Sequence, residues 1–264
     1  MSLLAFIRDF FFNIYHYREY LKQSVARDLR KRYKRSILGY VWSMLQPLLM
    51  MTILAVVFSK IMNARTEDYA VFLFTGMLPW AYFSATSKGA LASIRANSKI
   101  IDQLAVPKYL FTLSIAFSSL VDFFLSLVPL FLVMIFFGRS FHLTMLALPI
   151  ILVPLFFVTI GLSLIFAVGN VFFEDTQHLV TVILQAVYYL CPVLYSRDML
   201  PAWLIKWIVL NPMFCIIEFM RGLFYYGTMP DPNTYFINFA GTLLVLCIGL
   251  WVFKRTEQKF IYFM

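Results

Sequence analysis

Charge is scarce in this chain: Asp, Glu, Lys and Arg make up 13% of its 264 residues, about half the share usual in soluble domains. A soluble fold of this length needs a polar shell to meet water, and with 62% hydrophobic residues too little is left to build one. The surface is therefore one that faces lipid. Cysteine is also sparse. Cys191, Cys215 and Cys247 are odd in number and scattered, with no CxxC and no Cys/His cluster, which excludes a disulfide framework and a zinc site. His16, His142 and His178 lie too far apart in the chain to share metal-ligand spacing. Catalytic signatures are missing as well: no GxxxxGK[ST], HExxH, GxSxG or DxDxDG-like metal loop occurs, so neither a phosphate-binding loop nor a hydrolase centre is encoded.

What charge there is leans basic, with 22 Lys and Arg against 13 Asp and Glu. Nine of the 22 precede Ile37, and most others flank apolar runs. Basic residues so placed orient spans and meet anionic headgroups, so nucleic acid is not the expected partner. Residues 2–20 mix Arg8, Asp9, Arg18 and Glu19 among aromatics, unlike a cleavable signal.

A bilayer core about 30 Å thick needs about 20 helical residues to cross it. Six apolar runs meet that requirement: 36–59, 69–87, the stretch between Lys108 and Arg139, 143–173, 179–196 and 234–253. With the N-terminus inside, 16 Lys and Arg fall on the cytoplasmic side and six outside, so the positive-inside rule places both termini in the cytoplasm. The expected fold is thus an all-α integral membrane protein of six transmembrane helices, a single transmembrane domain over 1–264. Residues 1–35 form its cytoplasmic interfacial segment, 36–198 helices 1–5, 234–254 helix 6 and 255–264 a cytoplasmic tail. Residues 2–21 are expected to be an amphipathic helix in the interface.

The segment 199–230 is too greasy for a free loop, with Trp203, Trp207 and Met213–Ile217, and too broken to span, with Pro201, Lys206, Asn211-Pro212, Glu218 and Arg221. Two short helices dipping into the outer leaflet, turning at Asn211-Pro212, satisfy both facts. Two further spans would sink Lys206, Glu218 and Arg221 deep in lipid. Asp122 is the only clear charge inside a span, either a polar knob in helix packing or a functional group.

Two polar turns face the cytoplasm. One, about 90–107, holds Arg95, Asn97, Lys99, Asp102 and Gln103 on an expected short helix; the other is Phe172–His178. Such turns suit docking to a soluble partner, aromatics anchoring and charges setting register.

The run Arg27–Trp42 followed by Gln46-Pro47 resembles the start of the first span in ABC-type polysaccharide export permeases, the membrane subunits that export lipid-linked O-antigen, teichoic acid and capsule. Further likenesses follow in order: Gly76–Trp80, Val106-Pro107, Asn170–Asp175, Cys191–Tyr195, Leu210–Met213 and Glu218–Arg221. They cover essentially the whole chain. One departure is Glu174, in a short turn where that family often carries Arg.

The resemblance implies a homodimer working with two separate ATP-binding cassette subunits. ATP and Mg would be bound there, leaving this chain without cofactor or catalytic residues. Coupling would fall to Arg95, Lys99, Asp102, Phe173, Glu174 and Asp175, and gating to Asn211, Pro212, Glu218 and Arg221. Arg27, Arg30, Arg32 and Arg35 either meet a lipid pyrophosphate at the substrate entrance or serve as positive-inside anchors. Tyr40, Trp42, Trp80, Tyr82, Phe83, Tyr188, Tyr189 and Tyr195 either line a conduit, where rings pack on sugar C–H faces, or anchor helices at the interface. An exporter of drugs, lipids or haem shares this architecture. A membrane transferase would require converging His, Asp or Glu residues.

Overall fold

The computed structural model describes residues 3–34, 36–61, 66–103 and 106–263. Every regular element among them is helical. The α-helices in chain order are α1 (Leu3–His16), α2 (Arg18–Tyr33), α3 (Val41–Ile61), α4 (Thr66–Leu91), α5 (Ser98–Gln103), α6 (Tyr109–Phe136), α7 (Leu148–Phe172), α8 (Thr176–Leu190), α9 (Ala202–Ile208), α10 (Pro212–Arg221) and α11 (Pro232–Thr256). Among the described residues, four stretches are long and apolar enough to cross a bilayer: Val41–Phe58, Tyr109–Phe136, Leu143–Phe172 and Pro232–Phe260.

The other two expected spans are helices of a different kind. α4 is long, at 26 residues, but Thr75, Gly76, Pro79, Ser84, Thr86 and Ser87 dilute its apolar content. It sits centrally, packed by α3, α6, α7 and α10, and Tyr69–Phe74 are all buried. α8 has 15 residues, about 22 Å of rise. It stops at Leu190 rather than Ser196 because Cys191 precedes Pro192 and takes an extended ψ of 142°. The pyrrolidine ring disfavours helical backbone in the residue before it.

Other boundaries shift for local reasons. α3 begins at Val41, not Ser36, since the chain first turns through Gly39 at φ +52°, where the backbone N–H donates to Ser36 Oγ at 3.1 Å. α7 begins at Leu148 after a 3-10 stretch over Leu143–Ala147. At α10 the Asn211 side chain accepts from Met213 N at 3.0 Å and Pro212 fills the first turn. That pairing satisfies an orphan donor and wastes no N–H. Asp231 caps α11 alike, accepting from Thr234 N and Oγ1, both at 2.9 Å; these bonds hold its carboxyl below the usual range.

Helix association in lipid gains little from apolar contact alone, because acyl chains are as apolar as leucine; close approach and hydrogen bonds must supply the rest. α7 and α11 make the most extensive contact in the fold. They cross at Gly161 and Gly249, so tightly that a Cβ on Gly161 would lie 2.6 Å from Val245 O. Polar clips add to this: Asn170 Nδ2 donates to Leu91 O at 2.8 Å, Asn238 Nδ2 to Pro212 O at 3.1 Å and Tyr235 Oη to Ile150 O at 2.9 Å.

The N-terminal segment extends well past the expected helix. α1 breaks at Tyr17 and α2 then runs on to Tyr33. α2 lies along the first half of α6: Tyr20 meets Phe111 edge-on, Asp28 accepts from Ser114 Oγ at 3.2 Å, and Arg32 reaches Asp122. The first half of α6 is therefore sheathed by a basic helix.

Candidate functional site

Three constellations collect the residues singled out by sequence. The first is a groove of about 600 Å³ between α3, α4 and α6. Trp42, Gln46 and Met50 line it from α3; Met77, Trp80, Tyr82 and Lys88 from α4; Ser119, Asp122, Phe123 and Ser126 from α6; and Arg32 from α2. Arg32 and Asp122 form an ion pair. That pair answers the only acid inside an apolar run with a cation from 90 positions earlier. Charge gathers around Arg32, Asp122 and Lys88, while Trp42, Trp80, Phe123 and the methionines supply apolar wall. The groove is amphipathic.

The proposed entrance and conduit residues divide around it. Arg32, Trp42, Trp80 and Tyr82 line the groove. Phe83 is buried and meets Trp80 at 5.4 Å between ring centroids; Tyr188 meets Trp80 at 5.5 Å and Tyr189 at 5.3 Å. Tyr40 and Tyr189 are about half exposed, and Tyr195 Oη donates to Tyr189 O and Leu190 O, both at 2.9 Å. Arg30 is exposed. Arg27 instead turns to Asn97 Oδ1 at 3.4 Å. Arg35 lies outside the described residues. Lys88, Gln46 and Asp122 are among the lining residues that the sequence alone did not join to the entrance; Lys88 and Asp122 carry a signal, being charges at the edge of, or inside, apolar runs.

The second constellation is the face bearing residues 92–103 and 173–178. Arg95 pairs with Glu174 and donates to Val171 O at 2.9 Å. The two turns are thus joined across 79 positions. The turn is acidic in sequence, and an arginine from the neighbouring turn meets its Glu174. Phe173 is exposed beside the pair, and so is Glu174. Phe172 packs back on Phe260 and Phe263 of the C-terminal segment. Lys99 and Asp102 lie on α5, their side chains outside the described ones.

The third constellation is Arg221, fully buried at the end of α10. Its guanidinium donates to Val193 O at 2.9 Å, Tyr195 O at 3.3 Å and Glu218 Oε1 at 3.0 Å, and its Cζ lies 3.6 Å from the Phe72 ring centroid. Gly76 makes the space: a Cβ there would lie 3.0 Å from Nη2 of Arg221. Tyr69 Oη donates to Leu194 O at 2.5 Å. One charged fork thereby ties the segment after α8 to α10 and α4. The expected gate residues Glu218 and Arg221 come together here, while Asn211 and Pro212 stand at the far end of α10.

Long apolar helices, a central polar-threaded helix and an amphipathic groove define a multi-spanning membrane protein. Known proteins narrow the class: residues 19–225 match the profile of the family described as ABC-2 type transporter, and the chain belongs to that family. It is 33% identical over 239 residues to the O-antigen export system permease protein RfbA of Klebsiella pneumoniae, covering 89% of this chain and 90% of that protein. A protein of the same name from Myxococcus xanthus is 29% identical over 252 residues, covering 94% and 96%. The polysialic acid transport protein KpsM of Escherichia coli is 25% identical over 237 residues, covering 88% and 91%.

Proposed function

We propose that this chain is the membrane subunit of an ATP-driven exporter that moves a lipid-linked polysaccharide out across the bacterial cytoplasmic membrane. The observation that carries this reading is the end-to-end likeness to permeases named for O-antigen export, with no large part of either chain left over. The working unit is two copies of this chain and two ATP-binding subunits, which hold ATP and Mg and perform hydrolysis. Six crossings are α3, α4, α6, α7, α8 with its extension to 196, and α11. Residues 199–230 form an outer re-entrant segment, and both termini are cytoplasmic, supported by the 16-to-6 distribution of Lys and Arg.

The groove suits the substrate's two chemistries. A phosphate-bearing headgroup competes with Asp122 for Arg32 and is met by Lys88, while sugar C–H faces pack on Trp42 and Trp80. Motion from the ATP-binding subunits enters through the joined turns, which continue directly into α4, α7 and α8. Two outcomes test the reading together. Removal of the gene should abolish one surface glycan, and affinity capture of this chain should bring down an ATP-binding subunit. Normal surface glycans in a strain without a second exporter would sink it.

Coupling has its own test. Glu174→Lys is expected to weaken capture of the ATP-binding subunit, and the exchanged pair Arg95→Glu with Glu174→Lys to regain part of it. The direct coupling between two such partly exposed charges is worth no more than about 1 kcal/mol. Capture unchanged in both variants would remove these turns from the docking face.

A further inference from the structure

On the face opposite the joined turns, the loop after α6 meets the turn after α10 and encloses a cavity of about 340 Å³. Its lining is compact and polar: Arg139, Ser140 and His142 from the loop, Tyr225 and Tyr226 from the turn, with Val71 and Phe224 beneath. Both walls are built specially. Residues 222–226 form a π-helical turn ended by Gly227 at φ +67°. That glycine is required twice, since any Cβ there would also lie 2.6 Å from His142 Nδ1. π turns are rare and occur often at functional sites.

Charge and aromatic rings alternate inward from this cavity. The Arg139 guanidinium lies 5.3 Å from the Tyr225 centroid. Tyr225 meets Phe72 edge-to-face at 5.5 Å, and Phe72 carries Arg221 on its face. Tyr226 stands at 4.9 Å and 84° to Tyr225, about half exposed at the cavity. A half-exposed tyrosine beside a planar cation and an imidazole has the three parts that hold an acidic sugar: a ring for the C–H face, a fork for the carboxylate and a further polar group for hydroxyls.

We propose that this cavity binds one anionic sugar ring of the exported chain as it emerges on the outer face, stacked on Tyr226 with its carboxylate at Arg139. The proposal rests on the export reading and on its orientation. Two rings, Tyr225 and Phe72, then lie between a bound sugar and Arg221, the residue that ties α10 to α4.

The test uses the full chain in lipid nanodiscs and ligand-observed saturation-transfer NMR. The probes are a hyaluronan tetrasaccharide, which carries glucuronate, and the neutral maltotetraose. Transfer to the glucuronate ring is expected in the parent protein and in Tyr226→Phe, which keeps the ring. It should fall about tenfold in Tyr226→Ala and in Arg139→Gln. Transfer that survives both of these substitutions, or that is equal for maltotetraose, overturns the site whatever the export assay reports. Transfer lost in those two variants, in a protein whose gene removal leaves every surface glycan intact, keeps the site and overturns the export reading.

Discussion

Replacement of Arg221 by methionine is expected to lower the melting temperature of the protein in lipid nanodiscs by about 10 °C. The guanidinium has no exposed surface, and three acceptors depend on it: two carbonyls that no longer belong to a helix, Val193 O and Tyr195 O, and the Glu218 carboxylate. Methionine fills much of the volume but leaves these acceptors unmet and the carboxylate uncompensated. Breaking a buried charged pair from one side costs about 3–5 kcal/mol, and a chain of this size loses about 2–4 °C per kcal/mol. Arg221→Lys should recover less than half of the shift, because one ammonium cannot span the fork that reaches three acceptors. Gly76→Val presses on the same group from the other side and should shift melting in the same direction. A melting temperature for Arg221→Met within about 2 °C of the parent would show that the fork does not hold this region together.

Gly249→Leu is expected to remove the folded protein altogether, seen as loss of the monodisperse peak in size-exclusion chromatography. At the α7–α11 crossing the obstacles are backbone atoms, which cannot rotate aside: a Cβ on Gly161 would find Val245 O, Val245 C and Leu246 N all within 2.8 Å. Overpacking a core normally costs about 1–3 kcal/mol by displacing side chains. Here the two helices would have to part along their longest contact, and in lipid no expelled water offsets that loss. The same helix supplies its control. A Cβ on Gly241 would meet nothing within 4 Å, so Gly241→Ala should be tolerated and even favoured by about 1 kcal/mol of helix propensity. If Gly249→Leu elutes as the parent does, the crossing is looser than these distances require.

Which parts of this molecule can be read from its sequence follows from how local their causes are. Apolar runs with charged ends locate α6, α7 and α11 to within a few residues, because length and hydropathy are properties of contiguous chain. The early end of α8 has an equally local cause in Cys191-Pro192, but the apolar run continues to Ser196 and hides it from a reading by length and hydropathy. The mixture of greasy runs and breakers in 199–230 likewise anticipates two short helices parted at Asn211-Pro212. α2 is harder: a run as polar as Arg27–Arg32 has no apolar stripe to announce it, and its register comes from tertiary bonds to α6. The site is legible only in its inventory. Arg32, Asp122, Arg95, Glu174 and Arg221 all stand out as charges in a chain that has few. Their pairings, 90 and 79 positions apart, arise from helix docking and leave no trace in local pattern.

The bond between Arg95 and Glu174 has a consequence for exchange between related exporters. The face built by these two distant segments depends on both of them at once. A chimera that receives residues 173–178 from a relative with arginine in that turn would bring two cations face to face unless position 95 changes with it. Compatible grafts therefore have to travel as two pieces, and single-segment swaps between such permeases should fail more often than paired ones.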